Sequence, residues 1–159
     1  MKRNLLVALA SLVVACAGLL MSANAQKARP ATTAAAVVQQ PLYSDYRGVR
    51  LGMTPQEVRA KLGDPVLKDE ELDYFVFADN ITAQIAYDAT HKAKAISIDY
   101  PGGVGAPDYK AVIGNEIDTR PDGSMFKMVR YESLGFWVSY NRTAGPTVTV
   151  SITIQRIMG

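Results

Sequence analysis

Cysteine occurs once in this 159-residue chain, at Cys16, and histidine once, at His91. A disulfide framework needs two cysteines and a tetrahedral zinc site needs several Cys or His ligands, so neither is available. Nucleophilic catalysis of the Ser-His-Asp or Cys-His type would have to use His91. That residue sits in Asp88-Ala89-Thr90-His91-Lys92, which has turn composition and separates two alternating segments, and it is read as a turn residue. Glycine is missing between Gly63 and Gly102, which leaves the acidic cluster Asp69, Glu70, Glu71 and Asp73 without the sharp turn of a calcium loop. The cluster reads as a solvated loop. Gly102-Gly103-Val104-Gly105 lacks both the spacing and the Lys-Ser/Thr ending of a phosphate loop and reads as a linker. No cofactor is expected.

A long apolar run is also found only once, from Leu5 to Met21, preceded by Lys2 and Arg3. It is too short and too closely followed by small polar residues for a good membrane span. With Ala23-Asn24-Ala25 as a small-x-small cleavage site, residues 1–25 read as an export signal. A second reading competes, because Val13-Val14-Ala15-Cys16 resembles a bacterial lipobox in which Cys16 would be lipidated. Val13 replaces the usual Leu, and Gly18 to Met21 stays apolar where a lipoprotein turns polar. The expectation is a periplasmic or secreted protein, or an outer-membrane lipoprotein if Cys16 is the modified residue. Membrane contact follows only in the second case.

Removing the first 25 residues leaves 134, with 15 Lys and Arg against 15 Asp and Glu. A neutral balance without clustered cations argues against nucleic acid or a polybasic membrane surface. About 134 residues suffice for one core without covalent staples. Residues 26–45 are rich in Ala, Thr, Pro and Gln and read as a flexible tether.

From residue 46 the chain gives a helix, then alternating strands, and then the same order again. Thr54 is placed as N-cap, Pro55 at the first helical position, and Glu57 to close a capping box. Met53 and Val58 are spaced as a hydrophobic staple, Val58 and Leu62 face the core, Gly63 takes the left-handed conformation that ends a helix, and Pro65 prevents its resumption. Strands are expected over 74–78, 82–87 and 93–100. Ala106 to Ile113 opens a second short helix ended by Gly114, and strands follow over 125–131, 135–141 and 147–155. Asn80 and Asn141 begin glycosylation-type triplets and are read as turn residues. The fold class is α+β: short helices on one face of an antiparallel sheet, arranged as two helix-plus-sheet units over 46–101 and 102–159.

Gly52-Met53-Thr54, Glu57-Val58, Leu62-Gly63-Asp64-Pro65, then Tyr74-Phe75-Val76-Phe77 and Ala95-Ile96-Ser97-Ile98 resemble the SmpA/OmlA family over roughly residues 46–100. These are small outer-membrane lipoproteins associated with β-barrel assembly. The pattern is also similar to the wider group with the β-lactamase-inhibitory-protein fold, itself a tandem of such units. The resemblance implies a binding module with no reaction of its own. Three departures stand: two units in place of one, an imperfect lipobox, and only Ser44 to Arg50 where the family has a preceding helix.

Val148, Val150, Ile152 and Ile154 alternate with Thr149, Ser151, Thr153 and Gln155, and Phe136, Val138 and Tyr140 alternate with Trp137 and Ser139. If the apolar sets face the helices, Trp137 stands on the open face among hydroxyls. An exposed Trp is a favoured binding anchor. Trp137, Ser139, Thr149 and Ser151 are therefore the candidate partner-binding residues. The expected function is non-enzymatic binding of a protein partner in the cell envelope. The alternatives are a lipid-anchored accessory factor in outer-membrane protein assembly and a small secreted hydrolase or hydrolase inhibitor.

Overall fold

The computed structural model describes residues 40–157. The export signal, the cleavage site at Ala25 and the lipobox at Cys16 lie outside the described residues. The fold is α+β. Helices α1 (Pro55–Leu62) and α2 (Tyr109–Ile113) accompany strands β1 (Leu67–Lys68), β2 (Leu72–Val76), β3 (Thr82–Tyr87), β4 (Ala93–Pro101), β5 (Met125–Tyr131), β6 (Phe136–Arg142) and β7 (Thr149–Arg156). The strands form one antiparallel sheet in the order β1-β2-β3-β4-β7-β6-β5. The sheet is continuous across the two halves of the chain because β4 pairs with β7 from Ala95↔Gln155 to Pro101↔Thr149.

Helix α1 forms as its ends dictate. The Thr54 hydroxyl accepts from the Glu57 amide at 3.3 Å, and the Glu57 carboxylate accepts from the Thr54 amide at 2.8 Å. Both halves of the capping box are present. Gly63 closes the helix at φ 87°, ψ −162°, so its φ is positive as expected but its ψ is extended and the left-handed helical cap does not form. Gly114, at φ 75°, ψ −7°, is the left-handed cap, on α2. The positive φ is what favours glycine there; an added Cβ would meet only the Leu42 side-chain end, at 2.8 Å, which is exposed and can shift.

The core lies on one face of the sheet. Phe75, Ile85, Ile96, Ile98, Ile152, Ile154 and Val138 are each at most 1% exposed. The two helices are not its whole cover. The segment 43–53 crosses the same face as a strap, burying Tyr46 and Val49 and resting Tyr43, Leu51 and Met53 against the core. The Met53 carbonyl accepts from the Ala93 amide, and the Gly52 amide donates to the Ala93 carbonyl, both at 2.8 Å. The packed chain thus begins before residue 46, because the Tyr43 ring rests against the core while Leu42 stays exposed. Residues 46–49 make a tight turn closed by Val49 N to Tyr46 O at 2.8 Å.

The acidic cluster is the main correction. Asp69 does organise a turn, its Oδ1 accepting from the amides of Glu71 and Leu72. Asp73, however, is fully buried in β2. Its carboxylate accepts from Arg59 Nε at 2.9 Å, from Arg59 Nη2 at 2.7 Å and from Tyr87 Oη at 2.8 Å. The strand starts at Leu72, earlier than expected, and Asp73 shares the core side with Phe75. Asn141 is the second correction: it lies inside β6, paired with Phe126 and Ser151, because the strand runs through the triplet to Arg142.

Replacing Arg59 by Met should leave a buried, uncompensated carboxylate and cost about 3–5 kcal/mol in urea unfolding. A loss under about 1 kcal/mol, within the range of exposed pairs, would show that α1 is held by other means. Val58 is fully buried whereas Leu62 is only half-buried. Val58→Ala should therefore cost about 2 kcal/mol and Leu62→Ala no more than that, with Thr54→Ala near 1 kcal/mol. Thermal unfolding of the three variants checks the order.

Candidate binding face

The side of the sheet away from the strap and helices carries a sequence of small polar rows. One row reads Gln84, Ser97, Thr153, Ser139, Met128 across β3, β4, β7, β6 and β5. The next reads Thr82, Asp99, Ser151, Asn141, Phe126. The Ser97 and Thr153 hydroxyls are hydrogen-bonded at 3.1 Å, and the Ser151 hydroxyl donates to Asp99 Oδ1. Directly opposed hydroxyls of this kind stabilise an open sheet face without an apolar cover.

Trp137 stands on this face, half-buried, opposite Arg130 on β5 and Gln155 on β7. Phe136, Val138 and Tyr140 turn to the core as the alternation requires. Ser139, Ser151 and Thr149 share the side of Trp137, but they are not equally presented. Ser139 is 8% exposed, lodged between Met128 and Thr153. Ser151 is engaged by Asp99, and Thr149 is half-buried at the start of β7, opposite Pro101. The structure brings the four residues to one face and leaves Trp137 as the large side chain among them.

Sequence reasoning missed its neighbours. Phe126 is 48% and Met128 42% exposed, and both project from β5 to the same side. Met128 lies directly opposite Ser139, so it is the diagonal neighbour of Trp137. Phe126, Met128 and Trp137 thereby surround a small hydroxyl residue at one end of the face. The strand β5 did not reveal this because both of its faces carry an apolar residue and a cation: Phe126, Met128 and Arg130 against Met125, Lys127 and Val129.

His91 occupies the β3–β4 turn at φ 55°, exposed. The turn is built by Asp88, whose Oδ1 accepts from Thr90 Oγ1 at 2.6 Å and from the amides of Thr90 and Lys92. Its Oδ2 accepts from Arg156 Nη1 at 2.9 Å. The Thr90 hydroxyl first, then the backbone amides and the Arg156 charge, pull the Asp88 carboxyl down to about 2. Among the described residues no group of three or more His, Cys, Asp or Glu is arranged to hold a metal ion.

No protein-family model matches the chain, and no curated protein matches it. Among solved structures, a DUF4309 family protein (YjgB) from Bacillus subtilis subsp. subtilis str. 168 is similar over 69% of this chain and 83% of its own. The identity is 13% and the TM-score 0.42, a likeness that carries no argument about fold or function. None of these comparisons bears on the SmpA/OmlA resemblance.

The folded value of Asp88 lies below the ordinary 3.8 of an aspartate, so its hydrogen bonds favour the ionised form. That contribution to stability is complete above about pH 4 and is lost as the pH falls through about 2. Thr90→Val should raise the Asp88 pKa more than Arg156→Gln does, read from the carboxyl 13C shift across an acid titration. The reverse order would make the ion pair, rather than the turn hydroxyl, the controlling contact.

Proposed function

We propose that this chain is a non-enzymatic binding protein of the bacterial cell envelope that holds a protein partner against the β5–β6 end of its open sheet face. The observation that carries this reading is the grouping of Phe126, Met128 and Trp137 around the nearly buried Ser139. A rigid strand pair needs little backbone ordering when these side chains are covered, and aromatic residues and Met are enriched at the centres of protein interfaces. The hydroxyl rows beyond them supply a polar rim. The export signal read at residues 1–25 supports an envelope compartment, and the scarcity of histidine and cysteine supports binding over catalysis.

Trp137 is the only tryptophan in the chain, so its fluorescence reports on this face without labelling. A photo-crosslinking residue placed at position 128 should trap a discrete protein adduct in the envelope, whereas one at the exposed Gln84 of the same face should not. The double variant Phe126→Ser/Met128→Ser should keep the parental Tm and bind the trapped partner at least about 30-fold more weakly, corresponding to roughly 2 kcal/mol. Equal trapping at both positions, or parental affinity in the double variant, would remove the β5–β6 end from consideration.

A further inference from the structure

A cavity of about 650 Å³ opens on the other side of the sheet, between the strap, the turn at 132–135 and the adjoining ends of β6 and β7. Leu51, Leu134 and Phe136 supply its apolar part and Ser44, Arg50 and Arg156 its polar part, and among the described residues the two arginines are its only charged lining and no carboxylate lines it. The volume lies in the range of small-molecule sites.

The two arginines differ in what already neutralises them. Arg156 is tied to Asp88 outside the cavity at 2.9 Å, and its Nη2 lies against Gly52, where a Cβ would come within 3.4 Å. Its charge is balanced by Asp88. Arg50 is exposed and has no carboxylate partner within ion-pair distance among the described residues. The cavity therefore presents about one uncompensated positive charge beside a hydrocarbon surface. A guanidinium takes a planar carboxylate through two parallel hydrogen bonds, and a single net charge is balanced by a monoanion.

We propose that this cavity binds a small monocarboxylic acid with a hydrocarbon body, its carboxylate held by Arg50 and its body laid against Leu51, Leu134 and Phe136. The site is separate from the open face and does not depend on the reading of Trp137.

Titration calorimetry of the full chain with octanoate tests this, with octan-1-ol and acetate as probes of the two halves of the ligand. Octanoate should bind saturably, and each partial ligand at least about tenfold more weakly, since each lacks either the charge or the buried body. Arg50→Gln should weaken octanoate about tenfold with Tm unchanged, because the residue is exposed and makes no ion pair. Arg120→Gln, an exposed arginine outside the cavity lining, should leave the affinity at its parental value. Absence of saturable octanoate binding, octanol binding as tight as octanoate, or parental affinity in Arg50→Gln would each overturn the proposal.

Discussion

The buried contact among Arg59, Asp73 and Tyr87 fixes how the first half of the chain is assembled. Helix α1 is eight residues long, below the length at which an isolated helix persists in water, and only Pro55 and Val58 of it are fully buried. Its apolar stripe is too narrow to set its position on the sheet by area alone. The two-pronged contact from Arg59 to Asp73 supplies a direction as well as an attraction, because a guanidinium fork accepts a carboxylate in few orientations. Tyr87 satisfies a further lone pair of the same carboxylate and ties β3 into the contact. Burial, followed by the Asp73 hydrogen bond, pushes the Tyr87 hydroxyl well above its ordinary range, so it remains a donor throughout the physiological pH span.

That arrangement decides which side of the sheet is available. The strap, α1 and α2 all lie on the side of Ile85, Ile98 and Ile152, so the opposite side has to be stable in water. It meets this requirement with the Ser97–Thr153 and Ser151–Asp99 contacts in the middle strands. The apolar side chains it does carry are displaced to the ends of the rows, Phe126 and Met128 on β5 and Leu67 and Val76 on β1 and β2. A central stripe of paired hydroxyls separates them.

The local grammar of the chain was legible wherever one residue type has one use. Thr54, Pro55 and Glu57 define a helix start, Gly114 a helix end, and the strict alternation from Thr149 to Gln155 a strand with one buried face. The α+β class and the strands at 82–87 and 125–131 follow from such signals alone. What escaped was whatever depends on a distant partner. Asp73 looks like its acidic neighbours, and only the helix position of Arg59, on the same stripe as Val58 and Leu62, distinguishes it. The strap was hidden for a similar reason: Tyr43, Tyr46 and Val49 have no period of their own and are buried because a sheet face lies beneath them. Met128 and Phe126 were ambiguous because β5 is an edge strand with mixed faces.

The treatment of that edge bears on how a partner would engage. An unpaired edge of seven residues invites another strand, and a protein that keeps one open exposes itself to aggregation. Here the approach is obstructed. Thr119 bridges to Met125, and Lys127 Nζ donates to the Glu116 carbonyl at 2.7 Å, which draws the segment 116–120 along the start of β5. At the far edge β1 is two residues long. With the start of β5 bridged and its Phe126 and Met128 side chains open to solvent, the accessible apolar surface is the face of the sheet. A partner that used main-chain pairing at the start of β5 would have to displace the 116–120 segment, whereas one that covers Phe126, Met128 and Trp137 from above meets only side chains.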